Sequence, residues 1–278
     1  MFRFIPVLVL VLLTGIGIAM AAEYQKKTIG DMEVIALLDI RNEGNPDLLI
    51  GLTQAQADQY LKPRALENSI NAFAVRKNGR IFLFDTGLGK SGARKGGTLE
   101  SLVQAGIKPE DVDVVLITHF HGDHIGGLLE NGKPVFSKAR LLVPRLELES
   151  RGGAEKVDFY QAYGDRAGTF EFGETSYPGI VALEATGHTP GHTVFRLESG
   201  SGRLLILGDL VHFGNVQLPL PEIAVTYDSN PNQAILDRKK YFAMAAEENL
   251  PVAGMHLPFP GWGWLKKDGT GYEFRPLE

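Results

Sequence analysis

The chain contains no cysteine in its 278 residues. That removes disulfide scaffolds, thiolate metal sites and thiol nucleophiles together, so any metal must be held by imidazole and carboxylate groups. An excess of positive charge is missing as well. With 28 basic against 33 acidic residues the formal charge is −5, which offers no basic face for the phosphates of DNA or RNA. No low-complexity stretch and no Pro/Gly/Ser-rich linker divides the sequence. At 44% hydrophobic and 22% charged residues the chain has the makeup of one domain with a large core, and a disordered or multi-span protein is excluded. The expected partner is a small molecule and not nucleic acid.

One long apolar run is present, at the start. Arg3 precedes the uncharged stretch Phe4–Ala22, which ends in the small residues Ala19-Met20-Ala21. A short basic start, an apolar stretch and a small-x-small site describe a secretory signal cut after Ala21, and Thr14, Gly15 and Gly17 weaken the run as a membrane span. Residues 1–21 are therefore expected to be a signal peptide and residues 22–278 the functional domain, secreted or periplasmic, with no stable membrane insertion once the signal is removed. Retention as an anchor stays open, because the run just reaches spanning length.

Beyond it, helical and strand periods alternate, which indicates a mixed α/β architecture. Thr53 is placed to cap a helix over Gln54–Leu61. Ile70–Val75 and Arg80–Asp85 read as strands around Lys77-Asn78-Gly79, and Leu99–Ala105 as a short helix closed by Gly106. Asp113–Thr118 is a continuous apolar run of a strand buried on both faces. Pro231 opens the longest expected helix, with Ile235, Lys239, Phe242 and Ala246 on its apolar stripe, and the strand Val252–Met255 follows. Ala72–Asp85 is echoed by Thr193–Asp209, each pairing a glycine turn with an apolar strand that runs to an Asp. The echo is either two similar αβ halves packed sheet to sheet or the convergence of two hairpins.

The chemistry lies in the seven histidines. Thr118-His119-Phe120-His121-Gly122-Asp123-His124 follows a buried strand directly. In an extended segment residues i and i+2 project to one side, so His119 and His121 can grip one ion, with Asp123 and His124 a turn further on facing a second. More candidate ligands sit at strand ends: His188 and His192 in Gly187-His188-Thr189-Pro190-Gly191-His192, Asp209 after Gly208, and His256 after Met255.

In order and context these residues resemble the metallo-β-lactamase superfamily. The resemblance runs from about Asn68 to Pro260 and implies an αββα sandwich of two similar αβ halves in a single domain. It implies that His119, His121 and His192 hold one metal ion, that Asp123, His124 and His256 hold the other, and that Asp209 bridges them. Asp85 looks like the superfamily's strand-end acid that orients a ligand imidazole. On that implied set His188 is expected to order its loop and not to bind metal. The redox di-iron branch usually carries Glu where this chain has His121, so oxidoreduction is not expected.

Two divalent ions, zinc foremost given nitrogen-rich ligands with carboxylate support, lower the pKa of a shared water toward 7 and supply a hydroxide nucleophile. Asp123 is expected to orient it and shuttle a proton. Glu67–Asn71, Gly208–His212 and Gly254–Gly261 resemble the branch that contains methyl parathion hydrolase and related secreted lactonases and arylesterases, and the bridging Asp209 separates the chain from true β-lactamases. His212 stands where some lactonases carry a Tyr; it either hydrogen-bonds the substrate or is structural. Phe120, Phe213, Phe259, Trp262 and Trp264 are candidates for an apolar pocket. A hydrolase of hydrophobic lactones, esters or organophosphates is the expected activity. The rivals are a glyoxalase II-like thioesterase or a phosphodiesterase on the same site, and a non-catalytic metal-dependent binding protein.

Overall fold

The computed structural model describes residues 23–61 and 66–277. The expected signal peptide, residues 1–21, lies outside the described residues.

Two seven-stranded sheets stack face to face. The first runs, from edge to edge, through Tyr24–Ile29, Met32–Glu43, Glu67–Lys77, Arg80–Phe84, Val114–Leu116, Arg140–Pro144 and Ala167–Phe170. The second runs through Gly173–Glu174, Ile180–Glu184, Thr193–Ser199, Gly202–Ile206, Pro251–Ala253, Trp262–Asp268 and Gly271–Pro276. Successive side chains of a strand point to opposite faces, so a strand covered on both sides feeds two layers. Val34, Phe73, Val75, Leu204 and Ile206 enter the core between the sheets. Their neighbours Ile35, Leu37, Ala72 and Ala74 pack outward under the helices of the first sheet, while Leu205 and Leu207 pack outward under the helix Pro231–Glu247. The result is the expected single αββα sandwich.

The echoed segments are its facing hairpins. Glu67–Lys77 pairs antiparallel with Arg80–Phe84 across Asn78-Gly79, and Thr193–Ser199 pairs antiparallel with Gly202–Ile206. They meet where the Phe84 and Phe195 rings sit edge to face at 5.2 Å. Thr53 caps the helix Gln54–Tyr60 as expected, in a capping box with Gln56. One expectation is corrected. The buried stripe of Pro231–Glu247 is Ala234, Asp237, Arg238, Tyr241, Phe242 and Ala245, and Lys239 is exposed. Two charged residues occupy the inward face because they find partners there, so a reading from hydrophobicity alone places the buried face wrongly.

Asp39 sits at a register shift between Leu38 and Ile40, where the strand Met32–Glu43 bulges against Glu67–Lys77. Such a shift re-aims a side chain. The Asp39 carboxylate accepts hydrogen bonds from the Leu88 N–H (3.0 Å), the Thr98 N–H (3.0 Å) and the Thr98 hydroxyl (2.8 Å). Burial pushes its pKa up against those bonds, yet it ties both ends of the loop that overhangs the site. In Asp39→Asn one N–H would face an amide NH₂ group instead of an oxygen. The expected cost is about 1–3 kcal/mol, read from the urea midpoint; an unchanged midpoint would refute this role.

Candidate metal centre

Arg80–Phe84, Val114–Leu116 and Arg140–Pro144 run parallel in register, as do Gly202–Ile206 and Pro251–Ala253. Their C-terminal ends therefore open onto one rim, and the chemistry-bearing loops collect there. His119 and His121 follow Val114–Leu116, and His121, with extended backbone, is the N-cap of the short helix Gly122–Ile125 that carries Asp123 and His124. Asp209 and His212 follow Gly202–Ile206, and His256 follows Pro251–Ala253. The Thr193 N–H donates to the Thr118 carbonyl at 3.1 Å, joining the two sheets at the rim.

His119, His124, His188 and His256 are held from behind. Asp85, with its backbone in the left-handed region at φ 58°, accepts from His124 Nδ1 at 2.7 Å and from the Thr118 hydroxyl at 2.8 Å. The same hydroxyl accepts from His119 Nδ1 at 3.0 Å, so one strand-end acid orients two imidazoles. Asp228 accepts from His188 Nδ1 at 3.0 Å, and the Ser69 carbonyl accepts from His256 Nδ1 at 3.1 Å. Asn71 steadies the His256 loop by donating to the carbonyls of Gly254 and Leu257. A proton fixed on Nδ1 leaves the Nε2 lone pair facing inward, the arrangement a metal ligand needs.

The inward atoms converge on Asp209. Its Oδ2 lies 3.5 Å from His119 Nε2, 3.3 Å from His188 Nε2 and 3.2 Å from both His212 Nε2 and His256 Nε2, while Oδ1 lies 3.2 Å from His124 Nε2. Asp123 approaches His124 and His256 at 3.7 and 3.6 Å. Burial by itself would raise the Asp209 carboxyl, but the imidazoles around it, His124 foremost, hold it well below the usual carboxylate range. Burial drives His119 well below its ordinary value. His119 Nε2, His124 Nε2 and Asp209 Oδ1 are buried without a hydrogen-bond partner. Orphaned acceptors in so dense a cluster are costly unless a cation completes them. Ligand atoms within 4.8 Å of one another form three groups among the described residues: His119, His121, His188 and Asp209; Asp123, His124 and His256; and Asp209, His212 and His256. The donor set, nitrogen-rich with carboxylate oxygens, fits divalent transition metals.

The family model described as the metallo-beta-lactamase superfamily matches residues 66–256. The chain belongs to the metallo-beta-lactamase superfamily. Among solved structures, the hydrolase AbOPH of the beta lactamase superfamily is 31% identical, with 93% of this chain and 98% of that one covered at a TM-score of 0.85. AidC, a dizinc quorum-quenching lactonase captured with an acyl-homoserine product, is 26% identical, with 92% and 98% covered at a TM-score of 0.84. Among curated relatives, a ribonuclease of Thermus thermophilus is 29% identical over 69% of this chain and 49% of its own length. An N-acyl homoserine lactonase of Bacillus cereus is 31% identical over 38% of this chain and 41% of its own. The chain thus spans about half the length of these curated relatives or less.

The structure brings together His119, His121, Asp123, His124, Asp209, His212 and His256, but it corrects His192. The Nδ1 of His192 faces the Ala185 carbonyl at 3.0 Å and its Nε2 accepts the Asp209 backbone N–H at 2.8 Å. Both nitrogens are spent, and burial lowers its pKa to about 3. His188, expected to order its loop, is the imidazole beside His119 and His121, with its Nε2 3.0 Å from His121 Nδ1. Two histidines four residues apart around a Pro-Gly turn give the sequence no way to tell which one faces the rim. A Cβ on Gly208, at φ 56°, would lie 2.4 Å from His192 Nε2, so glycine is required for this close approach.

Asp228 was not foreseen. As an acid just ahead of the Ser229-Asn230-Pro231 helix start it reads as part of a turn, and no sequence signal points it at His188. The expected aromatic lining is largely corrected too. Phe213 lines the cleft of about 620 Å³ above Asp209, along with Tyr227, Leu48, Ile70, Leu88 and Arg94. Phe120 packs on Phe159, Trp262 belongs to the core between the sheets, and Phe259 and Trp264 pack under the cations of Arg41 and Lys266.

Proposed function

We propose that the protein is a dinuclear, zinc-type hydrolase of hydrophobic lactones, with aryl esters and organophosphate triesters as further substrates, in the branch that includes methyl parathion hydrolase and secreted lactonases. The observation that carries this reading is the convergence of His119, His121, His188, Asp123, His124 and His256 around one buried carboxylate, Asp209, at the floor of a half-apolar cleft. His119, His121 and His188 would hold one ion and Asp123, His124 and His256 the other, with Asp209 between them. Divalent ions bound there supply Lewis-acid polarisation and a nucleophile at neutral pH. Asp123 is partly exposed at the cleft floor. Burial by itself would raise its carboxyl, but neighbouring imidazoles, His124 first, hold it below the ordinary range, so it is ionised as a metal ligand needs. His212 stacks on His256 with ring centroids 5.0 Å apart, lies 5.9 Å from the Tyr227 ring and has an unpartnered Nδ1. At the cleft wall it is placed to hydrogen-bond a bound acyl or leaving group.

The likeness to AidC and to a Bacillus cereus lactonase supports the lactone. A phosphodiester of RNA is the second reading, favoured by the Thermus ribonuclease relative and opposed by a cleft whose lining, among the described residues, carries Arg94 as its one Lys or Arg. Export through residues 1–21 belongs to the same proposal.

The test is metal analysis of the purified protein, followed by assays with and without a chelator on a long-chain acyl lactone, an aryl ester, an organophosphate triester and an RNA oligonucleotide. Two metals per chain and chelator-sensitive lactone turnover are expected. Removing the metal should also lower the melting temperature, since free zinc at 100 times its Kd contributes about 2.7 kcal/mol to stability. Full activity in the metal-free protein would refute the reading, and turnover of RNA alone would replace it with the second.

A further inference from the structure

The reading above gives no task to the buried carboxylate of Glu147. Glu147, in the helix Arg145–Ser150, is 1% exposed. Its Oε2 accepts the backbone N–H of Phe120 at 3.0 Å and its Oε1 accepts the backbone N–H of Gly191 at 2.8 Å. Phe120 lies between His119 and His121, and Gly191 lies between His188 and His192. One side chain therefore grips two loops that arise from different sheets and deliver histidines to the same metal group.

The chemistry of the grip is specific. Two N–H donors aimed at two different oxygens suit a carboxylate, because an amide offers one oxygen and turns NH₂ toward the other donor. Burying a carboxylate costs free energy that an apolar residue avoids. Close approach is also built in: a Cβ on Gly191 would lie 2.6 Å from the Glu147 backbone nitrogen. The loops have one other backbone tie, from the Thr193 N–H to the Thr118 carbonyl. Two ties fix an orientation where one leaves a hinge, and across this junction His121 Nδ1 and His188 Nε2 face each other at 3.0 Å.

We propose that Glu147 is a positioning residue that clamps the two histidine loops and sets His119 and His121 against His188 before metal arrives; this rests on the metal centre proposed above. The test is zinc titration of metal-stripped wild type and Glu147→Gln, with melting temperatures recorded for both in metal-free and zinc-loaded form. The variant is expected to fold, to bind zinc roughly 10–100-fold more weakly and to show a smaller rise in melting temperature on loading. An equal drop in both forms with unchanged zinc affinity marks a purely structural residue and overturns the proposal. Wild type that takes up no zinc overturns the metal centre itself, and the clamp with it. Amide hydrogen exchange on metal-free wild type serves as a second measurement that does not depend on the variant folding. Slow exchange at both Phe120 and Gly191 is the expected result, and rapid exchange at either overturns the clamp.

Discussion

Asp209→Asn is expected to remove nearly all turnover while the protein stays folded, with kcat/KM falling by roughly 10³-fold and zinc content falling from two ions per chain to one or none. The substitution keeps the shape of the side chain and deletes its charge. That charge is the common neighbour of five imidazole Nε2 atoms at 3.2–3.5 Å, and among the described residues no other buried acid approaches as many of them. Asparagine would offer one neutral oxygen where the proposed centre needs an anion on two sides, so its two halves would lose their shared ligand. The fold should survive, since the sandwich core is apolar and lies beneath the rim. Metal analysis, steady-state kinetics and circular dichroism on the same preparation decide the matter. A variant with two zincs and wild-type kinetics would remove Asp209 from the centre.

Exchanging the two histidines of the His188–His192 loop one at a time gives the second large effect, and the two should fail differently. His188→Ala is expected to fold, to lose one zinc per chain and to lose turnover, because its Nε2 faces the Asp209 carboxylate and His121 while Asp228 orients it from behind. The loss of affinity should exceed the roughly 10–100-fold typical of removing an outer hydrogen-bond partner. His192→Ala leaves the Asp209 N–H and the Ala185 carbonyl without their partner in a fully buried position. Its expected cost is stability, about 2–4 kcal/mol from the cavity and the unpaired groups, with zinc still bound by whatever fraction is folded. Urea denaturation set beside zinc stoichiometry separates the two outcomes. If His192→Ala were as stable as wild type and lacked a zinc, the assignment would revert to the reading from sequence.

Much of the architecture was legible in the chain because burial on two faces writes itself as apolar runs. The apolar runs Asp113–Thr118 and Gly202–Leu207 contain the strands Val114–Leu116 and Gly202–Ile206, and the turn Lys77-Asn78-Gly79 joins a hairpin; the echo, open in the sequence between two similar halves and converging hairpins, falls on the facing hairpins of the two sheets. The buried face of Pro231–Glu247 was misplaced for the converse reason: Asp237 and Arg238 are inside because Gly187 N–H donates to one and the carbonyls of Leu210, Pro221 and Ile223 accept from the other. Hydrophobic pattern carries no record of such partners.

The sequence by itself determined the chemistry of the centre. An absence of cysteine, a dense His-x-His-x-Asp-His segment and acids or imidazoles at later strand ends left few other uses for those groups. Only the tertiary structure decided which imidazole nitrogen is free. That depends on what stands behind each ring: Asp85 behind His124, Asp228 behind His188, the Ser69 carbonyl behind His256, and for His192 a backbone N–H and a carbonyl that occupy both nitrogens. These partners lie tens of residues away along the chain for nearly every ring. Ligand identity is a matter of direction, and direction is fixed only when the sheets have packed.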